Sequence, residues 1–148
     1  MNIAYLIKDT CTYGKGIFAD QNISKGALIW TYKRDINVRE YDYVQSCQHL
    51  ESLPSLAHQQ LFLDITFGKD EVLCLILDDG KYMNHAEGNM SNCITDLITG
   101  NCFAKRDIMQ GEQLFEDYST FSHPGFLYEL LQKYKCEPEY YRLPVLTM

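Results

Sequence analysis

Gly111-Glu112-Gln113-Leu114-Phe115-Glu116-Asp117-Tyr118 is the stretch on which the reading of this chain turns, taken with Asp79-Gly80-Lys81-Tyr82-Met83-Asn84-His85 and Gly14-Lys15-Gly16-Ile17-Phe18-Ala19. In the first, Asp107 to Gly111 turns the chain towards a short extended piece, Leu114 to Tyr118. Before the second, Val72 to Leu77 is a continuous apolar run; Asp78-Asp79-Gly80 supplies turn residues and Lys81 to His85 leaves extended, which predicts a hairpin. In the third, the glycines offer backbone without side-chain bulk, as close approach to a ligand requires, and Ile17-Phe18 anchors the next strand. None decides anything alone, because short glycine turns and isolated Asn-His pairs commonly serve the fold only.

Around these stretches the signals are mainly β. Ile3 to Ile7 and Ala27 to Tyr32 read as strands, and Cys93 to Ile98, Thr99-Gly100-Asn101 and Cys102 to Lys105 read as a second hairpin. Between Asp35 and Phe62 the spacing becomes helical, with Val38, Tyr41, Val44 and Leu61 among polar residues and Pro54 splitting the region, so an inserted helical segment is expected at about 35–62. Beyond Pro124, Phe126, Leu127, Leu130, Leu131 and Tyr134 have helical spacing, which predicts a helical tail at about 124–148. With no internal repeat or linker, 148 residues of 46% hydrophobic content suit one domain, 1–148, mostly β with short helices in an α+β arrangement.

A formal charge of -7 argues against a protein that grips a phosphate backbone, and it permits a basic peptide partner. The six cysteines are scattered without a Cys-x-x-Cys pair, so no metal site is expected. No basic-then-apolar leader opens the chain and no apolar run is long enough to span a bilayer, so the expectation is an intracellular protein of cytoplasm or nucleus, with reduced thiols and no membrane partner.

In order and rough spacing the three stretches resemble the motifs of SET-domain protein lysine methyltransferases. The resemblance implies the β-clip SET fold, small and mostly antiparallel sheets with a knot-like threading of the segment that ends at Tyr118. It implies S-adenosyl-L-methionine as cofactor, S-adenosyl-L-homocysteine as product, and a histone or other basic protein as substrate. Gly14, Lys15 and Gly16 correspond to the family's cofactor-binding turn, with Tyr13 where its first Lys usually stands. Asn84 and the backbone of His85 would hold the adenosyl part. Tyr118 closes a Gly-Glu-x-Leu-x-x-Asp-Tyr pattern and would be the catalytic tyrosine at the methyl-transfer point, also touching the cofactor.

The chain departs from the pattern in several places. Ala86 replaces the family's Ser, Asn89-Met90-Ser91-Asn92 replaces a shorter Pro-Asn ending, and Glu87 stands where many members have a zinc-ligating Cys. No Cys-x-Cys cluster follows Tyr118, so the zinc-bearing post-SET element is absent, and Phe121, Phe126 and Tyr128 are the candidates to close that side of the pocket. Tyr82, Thr95 and Glu116 are the expected substrate-channel positions. Glu116 stands where the family commonly has Phe or Tyr; it either pairs with an incoming ammonium or faces solvent on an alternating strand, and the solvent reading is preferred. The alternative to an enzyme is a non-catalytic SET-like module that docks a peptide.

Overall fold

In the computed structural model, which describes residues 1–136, the chain opens with an antiparallel pair, β1 (Tyr5–Asp9) and β2 (Lys15–Ala19), in which Tyr5 lies opposite Ala19. β3 (Leu28–Trp30) and β4 (Val38–Tyr41) follow, then helices α1 (Tyr43–Ser52) and α2 (Leu56–Ile65), and strands β5 (Phe67–Lys69) and β6 (Val72–Ile76). The remaining elements are β7 (Asn84–His85), β8 (Cys93–Thr95), β9 (Cys102–Ala104), β10 (Phe115–Glu116) and α3 (Gly125–Lys133). One-turn 3-10 helices lie at Asp79–Tyr82, Gly88–Met90 and Tyr118–Thr120. The part of the expected helical tail at 137–148 lies outside the described residues.

Three small sheets result: β1-β2, the three-stranded β4-β6-β5, and the five-stranded β3-β9-β8-β10-β7. β6 explains the continuous apolar run, because both of its faces are covered. Cys74 belongs to a core with Ile17, Ile29, Val38 and Leu114, while Leu73 belongs to a second core with Leu50, Leu63, Leu127 and Leu130. A strand buried on both faces loses the polar alternation of a half-exposed one. Its partners are β4 and β5, on its two edges. The hairpin expected between Val72–Leu77 and Lys81–His85 therefore does not form. Asp78 instead caps a 3-10 turn by accepting the Gly80 N–H at 2.9 Å, and β7 leaves to join the five-stranded sheet.

The helical insert also differs in its bounds. Val38 and Tyr41 lie on β4, where they face the first and second core respectively, and α2 runs on to Ile65. A strand with a buried residue at each end imitates the i, i+3 spacing of one helical turn. Pro54 does separate two helices. Asp42 starts α1 through a reciprocal capping box with Gln45, and Ser55 caps α2. The hairpin predicted around Thr99-Gly100-Asn101 is β8 against β9, with Ile94 opposite Phe103.

β10 departs from the antiparallel pattern of the other named ladders. It lies between β7 and β8 and runs parallel to both, with Glu116 aligned to His85 and to Cys93. Asn92 holds it there: its Nδ2 donates to the Gln113 carbonyl at 2.8 Å, and its Oδ1 accepts the Phe115 N–H at 2.8 Å. Asn92 is only 2% exposed, so its carboxamide is satisfied by these two backbone groups rather than by water. Asn92→Ala leaves two backbone groups unpaired and is expected to destabilise the protein by roughly 2–5 kcal/mol. Asn89→Ala, on the exposed side of the same loop, should shift stability by no more than about 0.5 kcal/mol. Urea unfolding of the two variants checks this.

Candidate functional site

A cavity of about 580 Å³ opens where the three sheets meet. The end of α2 and the start of β5 contribute Ile65, Thr66 and Phe67, and the 3-10 turn and β7 contribute Tyr82, Met83, Asn84 and His85. Thr95, Cys102 and Glu116 come from β8, β9 and β10, Tyr118 and Phe121 from the segment after β10, Tyr13 from the β1-β2 turn and Lys15 from the start of β2. Eight of the twelve candidate residues named from sequence therefore line one cavity: Lys15, Tyr82, Asn84, His85, Thr95, Glu116, Tyr118 and Phe121. Gly14 and Gly16 flank Lys15 without lining the cavity themselves.

Gly16 is small for a steric reason. A Cβ there would sit 2.5 Å from Gln113 Oε1 and 3.1 Å from Asn84 Nδ2. Asn84 Nδ2 donates to the Lys15 carbonyl at 3.0 Å and to Gln113 Oε1 at 3.1 Å, so two acceptors set the orientation of its carboxamide. Asn84 Oδ1 takes no hydrogen bond among the described residues and remains an acceptor at the cavity. Gly14 has φ +72° with open space around its Cβ position, so its requirement is backbone conformation, not room. The turn that delivers Asn84 is tied down from two sides: Trp30 Nε1 donates to Asp78 Oδ1 at 3.1 Å, and the Tyr5 hydroxyl donates to Asp79 Oδ2 at 2.8 Å.

Tyr118 is held at both ends. Its backbone N–H donates to His85 Nδ1 at 2.9 Å, and its hydroxyl donates to the Met83 carbonyl. Its ring stacks on Phe121 with centroids 5.5 Å apart and an interplanar angle of 22°. His85 Nδ1 accepts the backbone hydrogen bond from Tyr118, and Asp117 Oδ1 approaches the same nitrogen to 3.9 Å. Asp117 caps the following 3-10 turn at Ser119 and accepts the Gly88 N–H at 2.9 Å. Burial acts against its charge, but these hydrogen bonds prevail and hold the carboxyl below its ordinary value.

Glu116 corrects the solvent reading. It is 8% exposed, because β10 is an inner strand of the sheet and its alternate side chain points inward. One oxygen accepts the Thr95 hydroxyl proton. Burial pushes the carboxyl above its ordinary value, against hydrogen bonds from Thr95 and Cys102 that favour the charged form. No described Lys, Arg or His lies within ion-pair distance of it.

Two expected closures of the pocket do not occur. Phe126 packs against Tyr43 at 5.4 Å beside the second core, and the Tyr128 hydroxyl accepts from Gln132, so of the three tail aromatics only Phe121 reaches the cavity. α3 buries Leu127, Leu130 and Leu131 in the second core, which sets Phe126 beside Tyr43 of α1 and leaves Tyr128 bonded along its own helix. The altered Ala86 to Asn92 loop is secured: the Ala86 N–H donates to the Glu116 carbonyl at 3.0 Å, and Lys105 Nζ bonds the Gly88 carbonyl at 2.9 Å. Sequence reasoning missed Gln113, Asn92 and the α2 end. Gln113 sat inside a quoted motif at a variable position, and nothing in the insert's spacing showed which face turned inward. Among the described residues, no three His, Cys, Asp or Glu side chains form a metal-holding group.

A family model described as SET domain matches residues 14–119. Among solved structures, a candidate histone methyltransferase of Plasmodium falciparum is 16% identical with a TM-score of 0.53, over 80% of this chain and 95% of that one. CpSET8 from Cryptosporidium is 23% identical with a TM-score of 0.55, over 80% of this chain and 59% of that one. A chain of ctPRC2, in complex with trimethylated and methionine-substituted forms of H3, is 17% identical with a TM-score of 0.59, over 80% of this chain and 15% of that one. At these identities the likeness shows a shared fold. No curated protein matches the sequence significantly.

The raised Glu116 carboxyl has a definite thermodynamic sign. A carboxyl that titrates higher in the folded state than its ordinary value near 4.5 binds more protons when folded, so its contribution to stability falls as pH rises through that interval. The unfolding free energy of the wild type, measured relative to Glu116→Gln in urea, should therefore decline from pH 4.5 upwards and then level off. A difference that rises with pH would show the carboxylate to be the favoured form.

Proposed function

The chain belongs to the SET-domain family, and on that premise we propose that it is a protein lysine N-methyltransferase that uses S-adenosyl-L-methionine, with residues 1–148 as a single SET domain. The observation that carries this reading is the convergence of Asn84, Tyr118 and the Tyr13 and Lys15 flanks of the glycine turn on one cavity. A peptide-docking module without chemistry needs a groove, but it has no need of a phenol anchored at both ends.

The residues fit the cofactor. Gly16 lets Gln113 and Asn84 close in on the turn, Asn84 retains an acceptor oxygen suited to an exocyclic amine of a purine, and Phe121 and Tyr118 supply ring faces for a cation. When bound, S-adenosylmethionine supplies an electrophilic methyl group on a cationic sulfur. The protein's task is then mainly positioning. Tyr118 donates its hydroxyl proton to the Met83 carbonyl, which turns the oxygen lone pairs away from that bond and makes the phenol an acceptor able to orient an amine. His85 fixes the Tyr118 backbone, and Asp117 fixes the turn after it, so the phenol is directed from two elements. Tyr82 and Phe121 offer apolar walls to a lysine stem. A basic protein segment suits a chain of charge -7. Among the described residues no helix is long and apolar enough to cross a membrane.

Tyr118→Phe removes only the hydroxyl. It is expected to lower methyl transfer to a library of basic peptides by roughly a hundredfold, while the loss of one hydrogen bond to Met83 costs about 1 kcal/mol of stability. An unchanged rate would refute the role. Gly16→Val should abolish S-adenosylmethionine binding in isothermal titration while circular dichroism reports an intact fold. Failure of the wild type both to bind the cofactor and to transfer methyl groups would favour the docking module.

A further inference from the structure

We propose that Glu116 is the cation-binding group of the cavity, and that it selects a compact primary ammonium over a guanidinium or an uncharged side chain; this rests on the methyltransferase reading for the identity of the acceptor amine. A buried carboxyl is costly unless something compensates it. Among the described residues, only neutral donors reach Glu116: the Thr95 hydroxyl and the Cys102 thiol. The cations that line the same cavity are engaged elsewhere: Lys81 Nζ lies 5.1 Å from the Tyr82 ring centroid, and Lys15 is exposed at the start of β2. The missing counter-charge is therefore one that a ligand can bring, at a point lined also by Tyr82, Tyr118 and Phe121.

The carboxyl's own hydrogen bonding sets the preference among cations. Oε1 already accepts from Thr95. A guanidinium binds a carboxylate best through both oxygens in a planar fork, which the Thr95 and Cys102 donors obstruct, whereas an ammonium needs a single lone pair. The groups that face Glu116 leave it as the proton-exchanging member of the cluster. His85 on β7 has Nδ1 occupied by the Tyr118 N–H, Cys102 on β9 is pushed well above its ordinary value by its bond to Cys93 and by burial, and Tyr118 donates to Met83. Entry of an ammonium stabilises the carboxylate, so any proton on Glu116 is released to solvent as the cation arrives.

The test uses the full chain labelled for NMR and three probes at neutral pH: Nα-acetyl-lysine N-methylamide and its norleucine and arginine counterparts. The lysine probe should shift the amides of Thr95, Glu116 and Tyr118 and bind about tenfold tighter than the other two. Glu116→Gln should erase that preference. A measurement on the wild type alone guards against a variant that fails to fold: the side-chain carboxyl carbon of Glu116 should titrate at lower pH with the lysine probe present, and stay put with norleucine. Equal binding of the probes, a preference retained in Glu116→Gln, or an unmoved carboxyl midpoint overturns the proposal. Calorimetry with S-adenosylmethionine on the same samples separates the two readings. Cofactor binding without a lysine preference overturns the role of Glu116 alone; a Glu116-dependent lysine preference without cofactor binding supports that role and overturns the transferase reading.

Discussion

The Asn92 carboxamide is the contact on which the arrangement depends. One side chain, shut off from water, satisfies the Gln113 carbonyl and the Phe115 N–H, while its own backbone N–H donates to the Phe115 carbonyl at 3.1 Å. The segment after Gln113 is thereby drawn in beside β8. A parallel strand cannot be reached by a tight turn, so β10 arrives from far along the chain and needs a polar tether to set its register. Release of that tether leaves two backbone groups of a half-buried segment without their protein partner.

Once β10 lies between β7 and β8, most of the site follows from strand geometry. Alternation turns Glu116 inward to Thr95. The chain then leaves the strand through Asp117, whose carboxylate caps the next turn, and Tyr118 meets Met83 and His85 at the foot of β7. Gln113, just before the strand, meets Asn84 across the gap that Gly16 keeps open. Residues from four parts of the sequence are thus brought together by one parallel insertion.

The same insertion explains the electrostatic character of the cavity. Asp117 and Glu116 are sequence neighbours with opposite fates. Asp117 has backbone and hydroxyl donors that favour its charge, whereas Glu116 is carried into the sheet, and burial prevails over its two weak donors. Gly111, at φ +96°, and Glu112, paired with Arg106 at 3.0 Å, lie in the same motif yet serve only the turn that aims the strand. A motif can therefore hold structural, electrostatic and phenolic roles side by side, divided by which face of the backbone each residue takes.

The β character, the hairpin of β8 and β9, the helix break at Pro54 and the tail helix through Lys133 were legible in the sequence, because local turn chemistry and apolar spacing decide them. The motif residues were legible as a set through their order. What spacing could not resolve were the partners of β6 and the strand nature of Val38 to Tyr41, since a doubly buried run shows no period and one turn of helix resembles a short strand. The inward face of Glu116 and the contribution of α2 to the cavity were settled only by tertiary structure. Side-chain direction in β10 depends on two neighbours distant in sequence, and no local signal carries the position of either.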